Sequence, residues 1–304
     1  MPETTKILKS SSPVPESSIV NNTGLVLKPS IGTAVAPMSR YARLLMGQER
    51  AITESVVGYD DRTRITSTDE YPWCMICYLE LKFPDGATGI GTGWLIGKNK
   101  VMTAGHCVFN QLHGGWADSI KVIPGNSVEN PELGRSDFAP YGEFEAVVMQ
   151  TTEEWVSDTN ITFDVGVIHI DKPIADELGN FGIQISNDGS DLVTKYVRVA
   201  GYPLRQHPRN EDDTMSTRTV GGQMWTNSDV VVDVQDGRIK YQLDTTGGQS
   251  GAPVVLLDDT SQGPVAVGIH NYGFNPNDAY QENKATLINA AIWTYIEGWL
   301  QENY

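Results

Sequence analysis

The chain has 304 residues, 39% hydrophobic and 20% charged, so it can bury a full core as one large domain or as two packed halves. Its 38 acidic and 22 basic residues give a net charge of −16 with no long Lys/Arg run, which argues against nucleic acid or an anionic membrane as a partner. No stretch approaches the ~18 continuous apolar residues of a membrane helix, and the opening MPETTKILKSSSPVPESS lacks the apolar core that a signal peptide needs.

Residues 1–54 are rich in Ser, Pro and Thr, weakly periodic and slightly basic, and read as a poorly structured leader or propeptide. From about residue 71, short apolar runs alternate with clusters of Gly, Pro, Asn and Asp, the rhythm of a sandwich or barrel. The expected strands are 73–81, 92–97, 100–105, 144–150, 164–170, 194–202, 229–235, 238–244, 252–258 and 265–271. They divide into two groups near residues 171–190 and make the body all-β. In the closing stretch, Ile288, Ile292, Tyr295 and Trp299 recur at steps of four, three and four. That spacing predicts one amphipathic C-terminal helix over about 285–302.

Three cysteines, Cys74, Cys77 and Cys107, are too few for a disulfide framework, and the odd count leaves at least one thiol outside any bridge within the chain. Cys74 and Cys77 have metal or redox spacing, but they sit in the strand-like run WCMICYLEL with no second Cys/His pair nearby. On a strand, residues three apart face opposite ways, so packed core thiols are expected and no metal site.

Within LDTTGGQSGAP (243–253), glycines at 247, 248 and 251 can bring backbone N–H groups close to a ligand, but such a cluster around Ser250 is also what a tight turn looks like. A nucleophilic serine needs a base, an acid to orient that base, and donors for an oxyanion. Of five histidines, only His106, in VMTAGHCVF, has a strand-to-turn setting of small residues; His113 and His207 lie in polar loops, and His169 and His270 in apolar strands. Asp164 opens the apolar strand DVGVIHI, where a carboxylate is costly to bury without a hydrogen-bonded partner. The order His106, Asp164, Ser250 differs from the Ser, Asp, His order of α/β-hydrolases, and Ala252 breaks their G-x-S-x-G elbow.

Together, TAGHC, the DVGVI strand and TTGGQSGAPV resemble the trypsin-like serine peptidases, and specifically the bacterial-type glutamyl endopeptidases. SVVGYDDRTRI (55–65) resembles the family's mature N-terminus, TGWLIGKNKVMTAGHCVF (92–109) its histidine loop, VAGYP (199–203) its second-barrel strand and VGIHN (267–271) its specificity strand. The resemblance covers residues 55–304 and implies two six-stranded antiparallel barrels, chymotrypsin-like, closed by the C-terminal helix. It implies His106 as general base, Asp164 as its orienting partner and Ser250 as nucleophile, with the N–H groups of Gly248 and Ser250 as the oxyanion hole.

Cleavage after Glu, less well after Asp, follows from the same resemblance, with His270 and Thr245 in the pocket. Ser55, freed as an amino terminus by a cut after Glu54, would help to hold the substrate carboxylate. The implied protein is a secreted monomer made as a zymogen, acting on proteins or peptides without a cofactor. One departure is that GIGTGW has no cysteine to pair with Cys107, which therefore pairs with Cys74 or Cys77 or is free. The rival readings are a protease of this fold with another specificity and a catalytically silent binding module.

Overall fold

The computed structural model describes residues 8–12, 24–33, 60–128, 139–206, 218–257, 263–273 and 281–304. Each of the ten expected apolar runs contains a strand, and two further strands complete the set. The first six are β1 (Ile76–Lys82), β2 (Thr88–Gly97), β3 (Lys100–Thr103), β4 (Ser119–Pro124), β5 (Phe144–Thr152) and β6 (Gly166–Ile170). The second six are β7 (Tyr196–Gly201), β8 (Met224–Gln235), β9 (Arg238–Tyr241), β10 (Pro253–Leu256), β11 (Val265–Tyr272) and β12 (Asn283–Leu287).

Each set closes on itself by antiparallel pairing. The first barrel runs β1-β2-β3-β6-β5-β4 and returns to β1; the second runs β7-β8-β9-β12-β11-β10 and returns to β7. The two barrels thus share one connection pattern, in which every strand of the ring has a neighbour on both sides over at least part of its length. Strands with one face toward solvent alternate, while β3 and β6 are buried along their whole length. In β1, Leu79 and Leu81 are buried while Glu80 and Lys82 are exposed. In the second barrel, Val197 with Val199, Ile239 with Tyr241 and Ala285 with Leu287 form a common core. Burying each Val, Ile or Leu contributes roughly 1.5–3 kcal/mol.

Two expectations need correction. The C-terminal helix spans Ala290–Gln301 and not 285–302, because Asn283–Leu287 is committed as β12 to closing the second barrel between β9 and β11. The Asn289 side chain then starts the helix by accepting from the N–H of Ile292 at 3.0 Å. Ile292, Tyr295 and Trp299 form the buried face as their spacing requires, but they pack with the first barrel's core although the helix follows the second. Tyr295 donates to Glu154 Oε2 at 2.6 Å on that side.

The second correction concerns residues 1–54, whose described parts are not poorly structured. Leu8–Ser12 pairs in parallel with Val148–Thr152 of β5, and Gly24–Leu27 pairs antiparallel with Gly182–Ile185 between the barrels. The cause lies in β5: its pairing with β4 reaches only Phe144 and Glu145, so the same edge further along is open to another strand. Cys74, Cys77 and Cys107 are all buried and free, as expected of packed core thiols, and of the alternatives left open for Cys107 the structure shows the unpaired thiol. Burial pushes the Cys74 thiol up to about 12, which makes it inert.

Candidate active site

His106 lies on a single helical turn, Gly105–Val108, immediately after β3. Asp164 ends the 3-10 turn Ile161–Phe163 that leads into β6, and its side chain is fully buried. The two meet through both carboxylate oxygens: Oδ1 accepts from the His106 backbone N–H at 2.7 Å, and Oδ2 lies 2.8 Å from Nδ1. The buried carboxylate is thereby satisfied and the ring held in one orientation. Gly105 is required by this contact, since a Cβ there would sit 2.9 Å from Asp164 Oδ1, Thr151 Oγ1 and Trp155 Cδ1. Burial disfavours the charged imidazole, but Asp164, with help from Cys107, outweighs it and raises the His106 pKa well above its ordinary value.

Ser250 lies in the loop between β9 and β10. Gly248 there has φ +103°, and a Cβ on it would run into the Tyr202 carbonyl oxygen. The carbonyls of this loop are tied down: Leu204 N–H donates to Gly247 O at 2.7 Å, Thr92 Oγ1 to Gly248 O at 2.9 Å and Thr92 N–H to Ser250 O at 2.9 Å. The Gln249 N–H is used too, donating to Thr246 O at 3.1 Å. Among the described residues, the N–H groups of Gly248 and Ser250, on either side of it, have no acceptor. Two donors left open around a fixed carbonyl framework can stabilise a developing oxyanion. Cys107 Sγ lies 3.9 Å from Ser250 O, which places the histidine loop against the serine loop.

His270 sits on β11, joined to the same loop by its backbone: Gly251 N–H donates to its carbonyl at 2.6 Å, and its N–H donates to Ala252 O at 2.9 Å. Its ring is buried and its Nδ1 lies 2.8 Å from the Tyr241 hydroxyl. Burial first, then the charges of Arg238 and His106, push its pKa down to about 3, so the ring is neutral. Thr245 is buried on the approach from β9 to the serine loop. Ser55, like Glu54 and His207, lies outside the described residues.

Several groups at this junction carry no local sequence signal. Thr92, in β2, bridges the barrels through Gly248 and Ser250 and also accepts from the Tyr202 N–H at 2.9 Å. Arg62 is buried; it pairs with Asp60 and donates from Nη1 to Gln249 Oε1 at 2.8 Å, bracing the serine loop. Arg238, in β9, donates to Ile161 O at 2.5 Å and to Thr286 Oγ1 at 3.2 Å. Asn271 donates to Asp164 O at 3.1 Å and to Thr286 Oγ1 at 2.8 Å. Polar groups of the second barrel therefore hold the Ile161–Asp164 segment of the first. Arg238 also lies 4.8 Å from the centre of the Tyr272 ring, itself 6.0 Å from that of His106.

Asp244, directly before Thr245, is fully buried, and its Oδ2 accepts from the Asp61 N–H at 2.8 Å. Burial and the nearby carboxylates of Asp61 and Asp60 push its pKa up to about 9. Burial and the neighbouring carboxylates thus both favour its protonated form. Among the described residues, no group of three or more His, Cys, Asp or Glu side chains is arranged to hold a metal ion.

A pair of barrels with one topology, a partly exposed histidine held by a buried aspartate at the edge of the first and a glycine-framed serine on the second, is the architecture of the trypsin-like serine endopeptidases. The chain belongs to that family, and the Trypsin family model matches residues 66–293. It is 31% identical over 249 residues to glutamyl endopeptidase of Bacillus licheniformis, covering 81% of this chain and 69% of that one. It is 30% identical over 250 residues to a Bacillus subtilis protein named extracellular metalloprotease, covering 82% of this chain and 70% of that one. A solved structure of Glu endopeptidase in complex with MPD aligns with a TM-score of 0.63 at 24% identity, over 81% of this chain and 100% of the other. The two-barrel fold is thus shared with a Glu endopeptidase.

Proposed function

We propose that this serine endopeptidase cuts after Glu, and less well after Asp, through His106, Asp164 and Ser250. Ser250 Oγ attacks the scissile carbonyl carbon as His106 Nε2 takes its proton, while Asp164 steadies the imidazolium that forms. The oxyanion is held by the N–H groups of Gly248 and Ser250. The C–N bond then breaks as His106 returns the proton to the leaving amine, and water hydrolyses the acyl-enzyme by the same relay. The observation that carries the triad is the grip of Asp164 on both the backbone N–H and Nδ1 of His106.

The carboxylate pocket uses His270 and Thr245, together with the amino terminus of Ser55 once the chain is cut after Glu54. Two features support an acidic substrate side chain. His270 is neutral and offers a donor, and Asp244 is held protonated and so does not repel the incoming carboxylate. The zymogen, an extracellular location and a monomeric state complete this reading; the B. subtilis relative is named as extracellular.

The test is mass spectrometry of products from a denatured mixed-sequence protein, with wild type and His270→Ala side by side. Cuts after Glu that lose their preference in the variant support the reading; equal cutting after Glu and uncharged residues by the wild type overturns it. Processing after Glu54 is tested with Ser250→Ala, which is expected to remain uncut when no other protease is present.

A further inference from the structure

Resting on the glutamate reading, we infer that Tyr241 is a positioning residue for specificity: its hydroxyl donates to Nδ1 of His270 and keeps the ring proton on Nε2, the nitrogen left for the substrate carboxylate. The Tyr241 oxygen lies 2.8 Å from Nδ1, and both rings are buried, at 0% and 3% exposure. Neither partner is free to drift. Tyr241 stands on β9 in register with Val231 of β8 and Asn283 of β12, and His270 is bonded through its N–H and C=O to the serine loop. The same strand thus points one ring nitrogen into the second barrel, while its backbone is fixed to the nucleophile.

The chemistry sets the direction of this hydrogen bond. Because burial, Arg238 and His106 keep His270 neutral, the ring has a single N–H to place. A carboxylate accepts and cannot donate, so the nitrogen that meets it must carry that proton. Nδ1 is then an acceptor, and only a donor can satisfy it in a buried site. A hydroxyl can fill that role; an aliphatic or phenyl side chain would leave Nδ1 unpaired or let the proton shift to it.

The experiment compares peptide substrates that differ only in Glu or Gln at the cleavage position, using the full chain after processing, with active sites counted by a serine-directed probe. Wild type is expected to prefer Glu; no preference would overturn the glutamate reading itself. Given that preference, Tyr241→Phe is expected to lower the Glu/Gln ratio of kcat/KM about tenfold, the size of one buried hydrogen bond. Its kcat/KM on the Gln peptide should stay within about twofold, a split that general loosening would not produce. An unchanged ratio overturns the proposal. Should the variant fail to fold, the wild-type protein still decides: two-bond ¹H–¹⁵N correlations of His270 are expected to show Nε2 protonated and Nδ1 bare, and the reverse pattern overturns it.

Discussion

The two barrels share one strand order, yet they bring opposite kinds of groups to the cleft. The first contributes a pair built for charge: Asp164 grips His106 and raises the imidazole's affinity for a proton. The second contributes groups kept neutral or dipolar: open N–H donors at Gly248 and Ser250, a His270 pushed down to about 3 and an Asp244 pushed up to about 9. On the proposed reading the first barrel supplies the base and its orienting acid, while the second supplies the nucleophile, the oxyanion donors and the recognition groups. Positive charge develops on His106 in the first, and the pocket groups of the second stay uncharged beside the substrate.

The largest effect should come from removing the atom on which both halves converge. Ser250→Ala is expected to lower kcat by on the order of 10⁶-fold while leaving the thermal melt nearly unchanged. Asp164→Asn breaks the charged half alone and should cost about 10⁴-fold. It should also move the pH profile. The raised pKa of His106 means that the free base appears only above the ordinary imidazole range, so kcat/KM should rise with pH through an alkaline-shifted limb. Without the carboxylate that upward pull is gone, and the limb moves to lower pH. A limb that stays in place would show that Asp164 does not set the base.

On the recognition side, His270→Ala should reduce the Glu/Gln ratio by about a hundredfold and change cutting after uncharged residues far less. With His270 pushed down to about 3, the ring stays neutral at all higher pH values. The Glu/Gln ratio of wild type is accordingly expected to be flat from pH 5 to 8, even where the overall rate is climbing. A ratio that fell as pH rose through 6–7 would mean that recognition needs a protonated His270, and the contrast between the two halves would fail.

What the sequence could reveal follows the same division between local and long-range information. Ten barrel strands announce themselves as short apolar runs between clusters of Gly, Pro, Asn and Asp, five in each barrel. The two that escaped have specific reasons. Ser119–Pro124 is a short run ending in proline, and Asn283–Leu287 merges with the helical spacing of the residues after it. His106, Asp164 and Ser250 stand in short motifs of small residues and are visible individually. The residues that hold them are not. Thr92 meets Gly248 across 156 positions, Arg238 meets Ile161 across 77, and the hydroxyl of Tyr241 meets His270 across 29. Leu8–Ser12 was hidden for a related reason: what makes it a strand is the open edge of β5, far along the chain.

Asp244 gives the smallest effect on rate and the sharpest test of why the second barrel keeps its groups neutral. Asp244→Asn should leave Glu cleavage at pH 7 within about threefold, because the carboxyl is already protonated there and an amide oxygen can still accept from the Asp61 N–H. Above about pH 9 the two should part, as wild type ionises at this site and loses Glu cleavage while the variant does not. Stability carries the same sign. A carboxyl whose folded pKa is raised favours the folded state fully only below its unfolded pKa near 4, and that contribution is lost as pH rises toward 9. Asparagine does not titrate, so the variant's melting temperature should exceed that of wild type increasingly across this window and match it most closely near pH 4. Equal melting curves at pH 4 and pH 8 would mean that Asp244 is ionised in the folded protein, with a negative charge beside the pocket proposed to receive glutamate.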